Sequence, residues 1–388
     1  MNIQKMKSTV AKSVDAQGGK LIALSKKIHD NPETGFHEVK ASEWLCEYLD
    51  KNGFRVERGI CRMPTAFRAT YGKGKPVIAL MAEYDALPGI GHACGHNIIC
   101  TAAVGAAVAA KAAVDQCGGS IAVLGTPAEE LYGGKAIMAE RGAFDDIDMA
   151  MIVHPDITNV TSARALACIT LEVEFIGKAA HAAASPQEGI NALDALILSF
   201  NGINSLRQHI NERARIHGII TRGGDAPNVV PDRTAGSFLV RAADDTYLEE
   251  LKTRTLNCFR GAAMATGAKL KYKWKDYFAP LRANATLAQV FAANMQALGR
   301  EMKPIPDRAF GSSDVGNVSQ LVPTIHPEVA IAPRNVSLHS AEFRAAAVSA
   351  EGNRGLLDGA KALAMTAADL LADRKLVSRI KKEFIDAG

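Results

Sequence analysis

The sequence predicts an α/β protein: a doubly wound, mostly parallel sheet that carries an inserted α+β domain. Short, wholly apolar segments alternate with helical periodicity over the first 160 residues. The pattern changes to alternating strands near residue 168, and helical periodicity resumes after residue 280. Buried parallel strands are apolar throughout because helices cover both faces of the sheet. Strands separated by helices are typical of a doubly wound arrangement.

The elements of the first part are assigned from the spacing of apolar residues. Helical spacing covers residues 19–29, 38–52 and 98–114, and apolar runs of strand length cover 77–82, 121–125 and 149–153. The segment 98–114 is rich in Ala, which predicts a tightly packed helix between two strands.

The second part reads as a small domain of its own. Strand-type alternation and helical spacing follow one another at 169–176, 191–210, 215–222, 234–242, 246–264 and 269–276. This β-α-β-β-α-β order forms a sheet with two helices on one face. We therefore expect a domain at 167–279 inserted into one built from 1–166 and 280–388. The latter closes with helical spacing at 281–298, a strand at 323–332 and a helix at 341–371.

Composition narrows the class of protein. The 388 residues are 48% hydrophobic and 22% charged, which excludes a disordered or fibrous chain. A net charge of +4 without a basic run does not indicate a nucleic-acid partner. The N-terminus lacks the apolar segment of a secretion signal, and the stretch 98–114 is shorter than the ~20 residues of a membrane span. Seven cysteines without a CxxC pair indicate free thiols. We expect a cytoplasmic protein without a membrane partner.

Metal-ligating residue types follow the predicted strands. They are Cys94 and His96 after the strand 77–82, Glu129 and Glu130 after the strand 121–125, His154 after the strand 149–153, and His339 after the last strand. In open α/β sheets, ligands bind outside the carboxyl ends of the strands. Each residue alone has an ordinary explanation, such as two acids favouring a helix N-terminus. Together at one sheet edge, they predict a metal site.

The residue types also indicate the metal. Imidazole, thiolate and carboxylate together suit Zn²⁺ or a similar transition metal. Five ligands exceed the needs of one tetrahedral ion, and a pair of ions sharing a bridging water would use them all. Such a water still needs a base. Glu129 beside the ligand Glu130 fits that role, for which a structural zinc site would have no use.

Six blocks of sequence resemble the M20 family of metallopeptidases and amidohydrolases. They are Glu83-Tyr-Asp-Ala-Leu-Pro-Gly-Ile-Gly-His-Ala-Cys-Gly-His-Asn97, Thr126-Pro-Ala-Glu-Glu130, Gly177-Lys-Ala-Ala-His181-Ala-Ala-Ala-Ser-Pro186, Asn228-Val-Val-Pro-Asp232, Gly311-Ser-Ser-Asp314 and Leu338-His339-Ser340. They occur in the family's order over nearly the whole chain. The most similar branch is the aminoacylase-like one, which includes p-aminobenzoyl-glutamate hydrolases, auxin-conjugate hydrolases and a mammalian-type dipeptidase.

The resemblance implies a catalytic α/β domain, an inserted lid that also forms a homodimer, and two divalent ions per subunit, zinc or manganese. The implied metal ligands are Cys94, His96, Glu130, His154 and His339, with Glu129 as the general base. In the lid, the resemblance implies that His181 reaches the active site of the partner subunit and stabilises the oxyanion. It also implies that Asn228 and Arg241 hold the carboxylate or amide of the substrate. Without the resemblance, the small-residue loop around His181 is equally explained as a tight loop with an exposed His.

Two positions depart from the family pattern. Many relatives have a His-x-Asp metal motif where this chain has Glu83-Tyr84-Asp85, so Glu83 is not counted as a ligand. We expect Asp85 to orient a ligand from behind. Asn97 follows Cys-Gly-His where auxin-conjugate hydrolases have Asp, which favours the aminobenzoyl-glutamate hydrolase and dipeptidase branches.

We expect a metal-dependent amidohydrolase that cleaves N-acyl or N-aroyl amino acids or small dipeptides. Its substrate would be a small amide with a carboxylate. A metal-bound hydroxide would attack, with Glu129 first as base and then as acid. One alternative is a catalytically idle metal-binding or assembly subunit. Another is a thiol-dependent amidase with Cys94 as nucleophile and His96 as base, which would leave Glu129 and Glu130 unexplained.

Overall fold

The computed structural model describes residues 2–305 and 311–387. These residues divide into two compact units. Unit 1 contains residues 2–164, 281–305 and 314–387, and unit 2 contains residues 165–280 and 311–313.

Strands occur in both units. Among the described residues they are β1 (Arg55–Arg58), β2 (Phe67–Lys73), β3 (Val77–Ala82), β4 (Gly119–Gly125), β5 (Met149–Met151), β6 (His154–Asp156), β7 (Ala167–Ile176), β8 (Arg215–Arg222), β9 (Arg233–Ala242), β10 (Lys269–Phe278), β11 (Thr324–Ile325) and β12 (Glu328–Ala330).

Helices alternate with these strands along the chain. The α-helices in the described ranges are α1 (Ile3–His29), α2 (Val39–Lys51), α3 (His96–Cys117), α4 (Glu129–Tyr132), α5 (Gly134–Glu140), α6 (Ala192–Arg207), α7 (Asp245–Thr266), α8 (Ala285–Ala297), α9 (Val315–Ser319), α10 (Ala341–Ala346), α11 (Ala350–Ala372) and α12 (Arg374–Asp386).

Unit 1 is built on a six-stranded mixed sheet in the order β1-β2-β4-β3-β5-β11. Strands β4, β3, β5 and β11 run parallel, whereas β2 and β1 add an antiparallel edge. Every side chain of β3 and β4 is buried, as expected for strands covered on both faces. The prediction of an α/β protein with a mostly parallel sheet is confirmed.

The core of unit 1 has an apolar layer on each face of this sheet. The larger layer is formed by α1, α3 and α11, where Ala side chains of α3 allow close packing. By length and composition α3 is apolar enough to span a membrane, and 83% of its most apolar window is buried inside the protein.

Unit 2 contains a four-stranded antiparallel sheet in the order β10-β7-β9-β8. In chain order its elements are β7, α6, β8, β9, α7 and β10. The inward side chains of β7 alternate with exposed ones, and they share an apolar core with residues of α6 and α7.

Four expectations differ from the structure. The first helix extends back to Ile3, and the antiparallel strands β1 and β2 were not predicted. The strand expected at 323–332 divides at the Pro327 position into β11 and β12, since proline cannot donate to a ladder. The closing helix is also interrupted, because the Ser349 side chain accepts a hydrogen bond from the Gly352 N–H and begins α11 anew.

Candidate metal centre

The candidate ligands lie at the carboxyl ends of the parallel strands of unit 1. Strand β3 leads to Glu83 and Asp85, α3 begins at His96, and β4 leads to the short helix α4 with Glu129 and Glu130. His154 begins β6, and His339 lies in the loop between β12 and α10. The sheet topology therefore brings residues from five segments to one edge.

The five predicted ligands meet there. One group of donor atoms within 4.8 Å of one another comes from Cys94, His96 and His154, and a second comes from Cys94, Glu130 and His339. The Cys94 Sγ lies 3.5 Å from the His154 Nε2. The Glu130 Oε1 lies 3.5 Å from the His339 Nε2 and 3.8 Å from the His96 Nε2. All five side chains thus face one another.

The donor set fits a divalent transition metal. The Nε2 of His96 and the Oε1 of Glu130 are buried and have no hydrogen-bond partner among the described residues, whereas buried polar atoms normally have one. Imidazole, thiolate and carboxylate are the donors that Zn²⁺ and similar ions prefer. The residues present therefore fit the metal centre that the sequence predicts.

A glycine allows the close approach of two ligand segments. Gly95 stands between Cys94 and His96 with φ 78°, in the left-handed region that favours glycine. A Cβ atom at this position would lie 2.4 Å from the Cγ of Pro155. Glycine thus lets the Cys94–His96 turn pack directly against the residue that follows the ligand His154.

Asp85 connects two of the ligands. Its Oδ1 lies 3.0 Å from the His96 Nδ1, and its Oδ2 accepts the Glu130 N–H at 3.0 Å. Burial alone would lower the pKa of His96, but the Asp85 carboxylate beside it raises this pKa well above its usual value. Asp85 therefore directs the His96 Nε2 towards the centre, as carboxylates behind metal-ligating His residues do.

Glu129 lies in an acidic cluster next to the ligands. Carboxylate oxygens of Glu83, Glu129 and Asp314 lie within 4.8 Å of one another. Burial, then the charges of Glu83 and Asp314, raise the pKa of Glu129 well above its usual value. A carboxylate with a raised pKa is suited to accept and return a proton near neutral pH.

Lys135 is a functional residue that the sequence analysis missed. Its side chain is fully buried, and its Nζ lies 2.8 Å from the Glu83 Oε1 and 2.6 Å from the Asp314 Oδ1. Burial alone would raise the pKa of Glu83, but the Lys135 ammonium lowers it to about 2. Glu83 thus binds an ammonium at the position where many relatives have a His. A lysine in the apolar α5 was the available sequence signal.

His326 was also missed. Its ring is buried, with the centroid 5.3 Å from that of His154. Neither ring nitrogen has a hydrogen-bond partner among the described residues. Burial lowers the pKa of His326 to about 3, so the imidazole is neutral. Its position between Ile325 and Pro327 gave no indication of this location.

The other predicted site residues belong to unit 2. His181 is exposed, its Nδ1 accepts the N–H groups of Ala183 and Ala184, and it forms a β-bridge with Val229. Asn228 therefore lies in the segment beside His181. Arg241 lies on β9 and donates from its Nη1 to the Ser312 Oγ at 3.0 Å. The roles of His181, Asn228 and Arg241 stay predictions.

Fold and site together define a class: α/β hydrolases that act on amide or peptide bonds. The chain belongs to peptidase family M20, since the sequence profile of "Peptidase family M20/M25/M40" matches residues 79–365.

Individual relatives extend this similarity. The Xaa-Arg dipeptidase of Mus musculus is 35% identical over 401 residues, which cover 98% of this chain and 93% of that protein. One of the p-aminobenzoyl-glutamate hydrolase polypeptides of Escherichia coli is 37% identical over 306 residues, 74% of this chain and 64% of that protein. A crystal structure of a dinuclear metal-binding M20 peptidase from Bacillus subtilis shares the fold, with a TM-score of 0.72 and 19% identity over 92% of this chain and 99% of that one.

Proposed function

We propose that this protein is a metal-dependent amidohydrolase that cleaves small dipeptides or N-acyl and N-aroyl amino acids. The observation that carries the proposal is the convergence of five donor side chains beside Glu129, whose pKa is raised. The similarity to an Xaa-Arg dipeptidase along 98% of the chain favours dipeptides with a basic C-terminal residue as first substrates.

Five residues of unit 1 would hold two divalent ions, zinc or manganese. They are Cys94, His96, Glu130, His154 and His339. Bound there, such ions supply Lewis-acid chemistry, which acidifies water and polarises an amide carbonyl.

Glu129 would carry the proton. Its carboxylate accepts a proton from the attacking water and then donates it to the nitrogen of the leaving amine, so that the amide bond breaks and a carboxylic acid and an amine are released. Its raised pKa supports this role, because both protonation states are then accessible near neutral pH. Asp85 keeps the neighbouring Glu130 backbone in place through the hydrogen bond described above.

Residues of unit 2 would bind the substrate. Arg241 and Asn228 would hold its carboxylate or amide, and His181 would stabilise the oxyanion in the active site of the partner subunit of a homodimer. A donor of this kind typically contributes ~10²–10³-fold to kcat. We place the enzyme in the cytoplasm.

A substrate screen tests the proposal. Protein loaded with Zn²⁺ or Mn²⁺ is assayed on dipeptides ending in Arg or Lys, on N-acetyl amino acids and on p-aminobenzoyl-glutamate. We expect turnover of at least one class that is lost with a chelator and with the Glu129→Gln variant. Lack of turnover of every class by the reloaded protein would favour the idle metal-binding subunit.

One contact favours a second candidate, a thiol-dependent amidase. The Cys94 Sγ lies 3.5 Å from the His154 Nε2, as in thiol–imidazole pairs. Burial, however, raises the pKa of the Cys94 thiol well above its usual value, whereas nucleophilic thiols have a lowered pKa. Activity that survives a chelator but not thiol alkylation would support this candidate.

A further inference from the structure

We propose that Glu38 is a positioning residue for the catalytic turn, which we define as Ala128–Glu130. Its carboxylate holds the backbone of Ala128 and thereby sets the directions of Glu129 and Glu130. The inference rests on the proposed function, since it assigns Glu129 and Glu130 their roles.

The contact joins residues 90 positions apart. Glu38 is fully buried before α2. Its Oε1 accepts the Ala128 N–H at 2.8 Å, and its Oε2 accepts the Thr65 hydroxyl at 3.0 Å. The Thr65 carbonyl in turn accepts the Tyr84 hydroxyl at 2.6 Å. Both oxygens of Glu38 are therefore engaged, and the carboxylate is held in one orientation.

The backbone at Ala128 needs such support. Ala128 has φ 61° and ψ 40°, a left-handed conformation that is uncommon for a residue with a Cβ. Residues of this kind persist where the surroundings over-determine them. Here the loop before α2 also lies against the turn, since a Cβ on Gly35 would be 3.0 Å from the Cβ of Ala128.

Two buried carboxylates hold alternate N–H groups of the catalytic turn. Glu38 accepts from Ala128, and Asp85 accepts from Glu130. Between them, Glu129 is carried without a side-chain cap at the start of the four-residue helix α4. Rotation of the Ala128 peptide would turn the base and the neighbouring ligand together. A displacement of 1 Å at a reacting group can cost ~10²-fold in rate.

The test compares Glu38→Ala, Glu38→Asp and Glu38→Gln with wild type. The Ala variant leaves the Ala128 N–H unsatisfied, and the Asp variant withdraws the carboxylate by one methylene group. The Gln variant keeps an acceptor for this N–H. We expect kcat to fall ~10-fold or more in Ala and Asp with little change in KM, and Gln to restore most of it. Zn²⁺ retention against a chelator, measured without substrate, should weaken in the same order.

Asp148→Ala is the matched control. Asp148 is also buried and accepts a backbone N–H, that of Val77 at 2.7 Å, but at the opposite end of β3. We expect it to lower the melting temperature while kcat per folded molecule and Zn²⁺ retention stay at wild-type values.

Three results separate the possibilities. Wild-type kcat and Zn²⁺ retention in both Glu38→Ala and Glu38→Asp would overturn the inference, as would losses no greater than in Asp148→Ala. If Glu38→Ala does not fold, Glu38→Asp decides. If wild type hydrolyses no amide, the proposed function fails, while the Zn²⁺ retention series still tests whether Glu38 sets the position of Glu130.

Discussion

The Nζ of Lys135 lies 2.6 Å from the Oδ1 of Asp314, and both side chains are fully buried. Lys135 also donates its backbone N–H to the Asp314 Oδ2 at 2.7 Å. Because Glu83 contacts the same ammonium, a single positive charge offsets two carboxylates beside Glu129. The acidic cluster is thus compatible with the folded state through this one buried lysine.

Replacing Lys135 by Met should destabilise the protein by ~3–5 kcal/mol, because it leaves buried carboxylates without their counter-charge. The free energy of unfolding in urea measures this loss. Lys51→Met is the control, since Lys51 forms an exposed i,i+4 pair with Glu47 and should cost below ~1 kcal/mol. Equal unfolding midpoints for the two variants would contradict the assigned role of Lys135.

Glu129→Gln should retain fold and metal but lose ~10²–10⁴-fold in kcat, because general acid–base groups contribute that much. Steady-state kinetics and elemental analysis of the same preparation measure both properties. Glu130→Gln is the matched variant and should lose metal. If Glu129→Gln loses its metal and Glu130→Gln does not, the two glutamates have the opposite roles.

Protein reloaded with Zn²⁺ or Mn²⁺ should hold close to two ions per chain, because five ligand side chains exceed the needs of one ion. Cys94→Ala should lower this number in elemental analysis. Cys100→Ala is the control: Cys100 is equally buried on α3 but bonds the Asn97 carbonyl. A stoichiometry of one that Cys94→Ala leaves unchanged would rule out the binuclear centre.

If His181 acts on the partner subunit, mixing two inactive variants should restore activity. Glu129→Ala and His181→Ala subunits are combined under conditions of subunit exchange. A mixed dimer then has one site with both defects and one with neither, so activity reappears. Continued inactivity after proven exchange would place His181 in its own subunit's site, and a fully active His181→Ala homodimer would remove it from catalysis.

The stability difference between wild type and Glu38→Gln should depend on pH. Burial raises the pKa of Glu38 from 4.5 to about 7. Between these values the folded state binds more protons than the unfolded state, so the stability of wild type falls as pH rises.

Glu38→Gln lacks this titration and should gain up to about 3 kcal/mol relative to wild type between pH 5 and pH 8. Urea unfolding of metal-free protein at both values measures the change. The pKa of Asp148 is lowered from 3.8, so the difference between Asp148→Asn and wild type should stay constant over this range. A constant difference for Glu38→Gln would show that Glu38 ionises normally in the folded state.

Helix and strand positions near the site were largely predictable, because β3 and β4 are apolar throughout and their ends are marked by polar residues. The edge strands β1 and β2 were not, since β1 is a short, mostly exposed strand. Their pairing is decided by contacts between β2 and β4, which lie about fifty residues apart in the chain.

The sequence by itself determined the fold class and the ligand types Cys94, His96, Glu130, His154 and His339. It did so because strand periodicity is local and a parallel sheet gathers strand ends at one edge. Only the tertiary structure decided which buried charges neutralise one another. Lys135 and Asp314 are 179 positions apart and Glu38 and Ala128 are 90 apart. A charge or a hydrogen bond acts through space, and its partner in a buried site depends on packing rather than on separation along the chain.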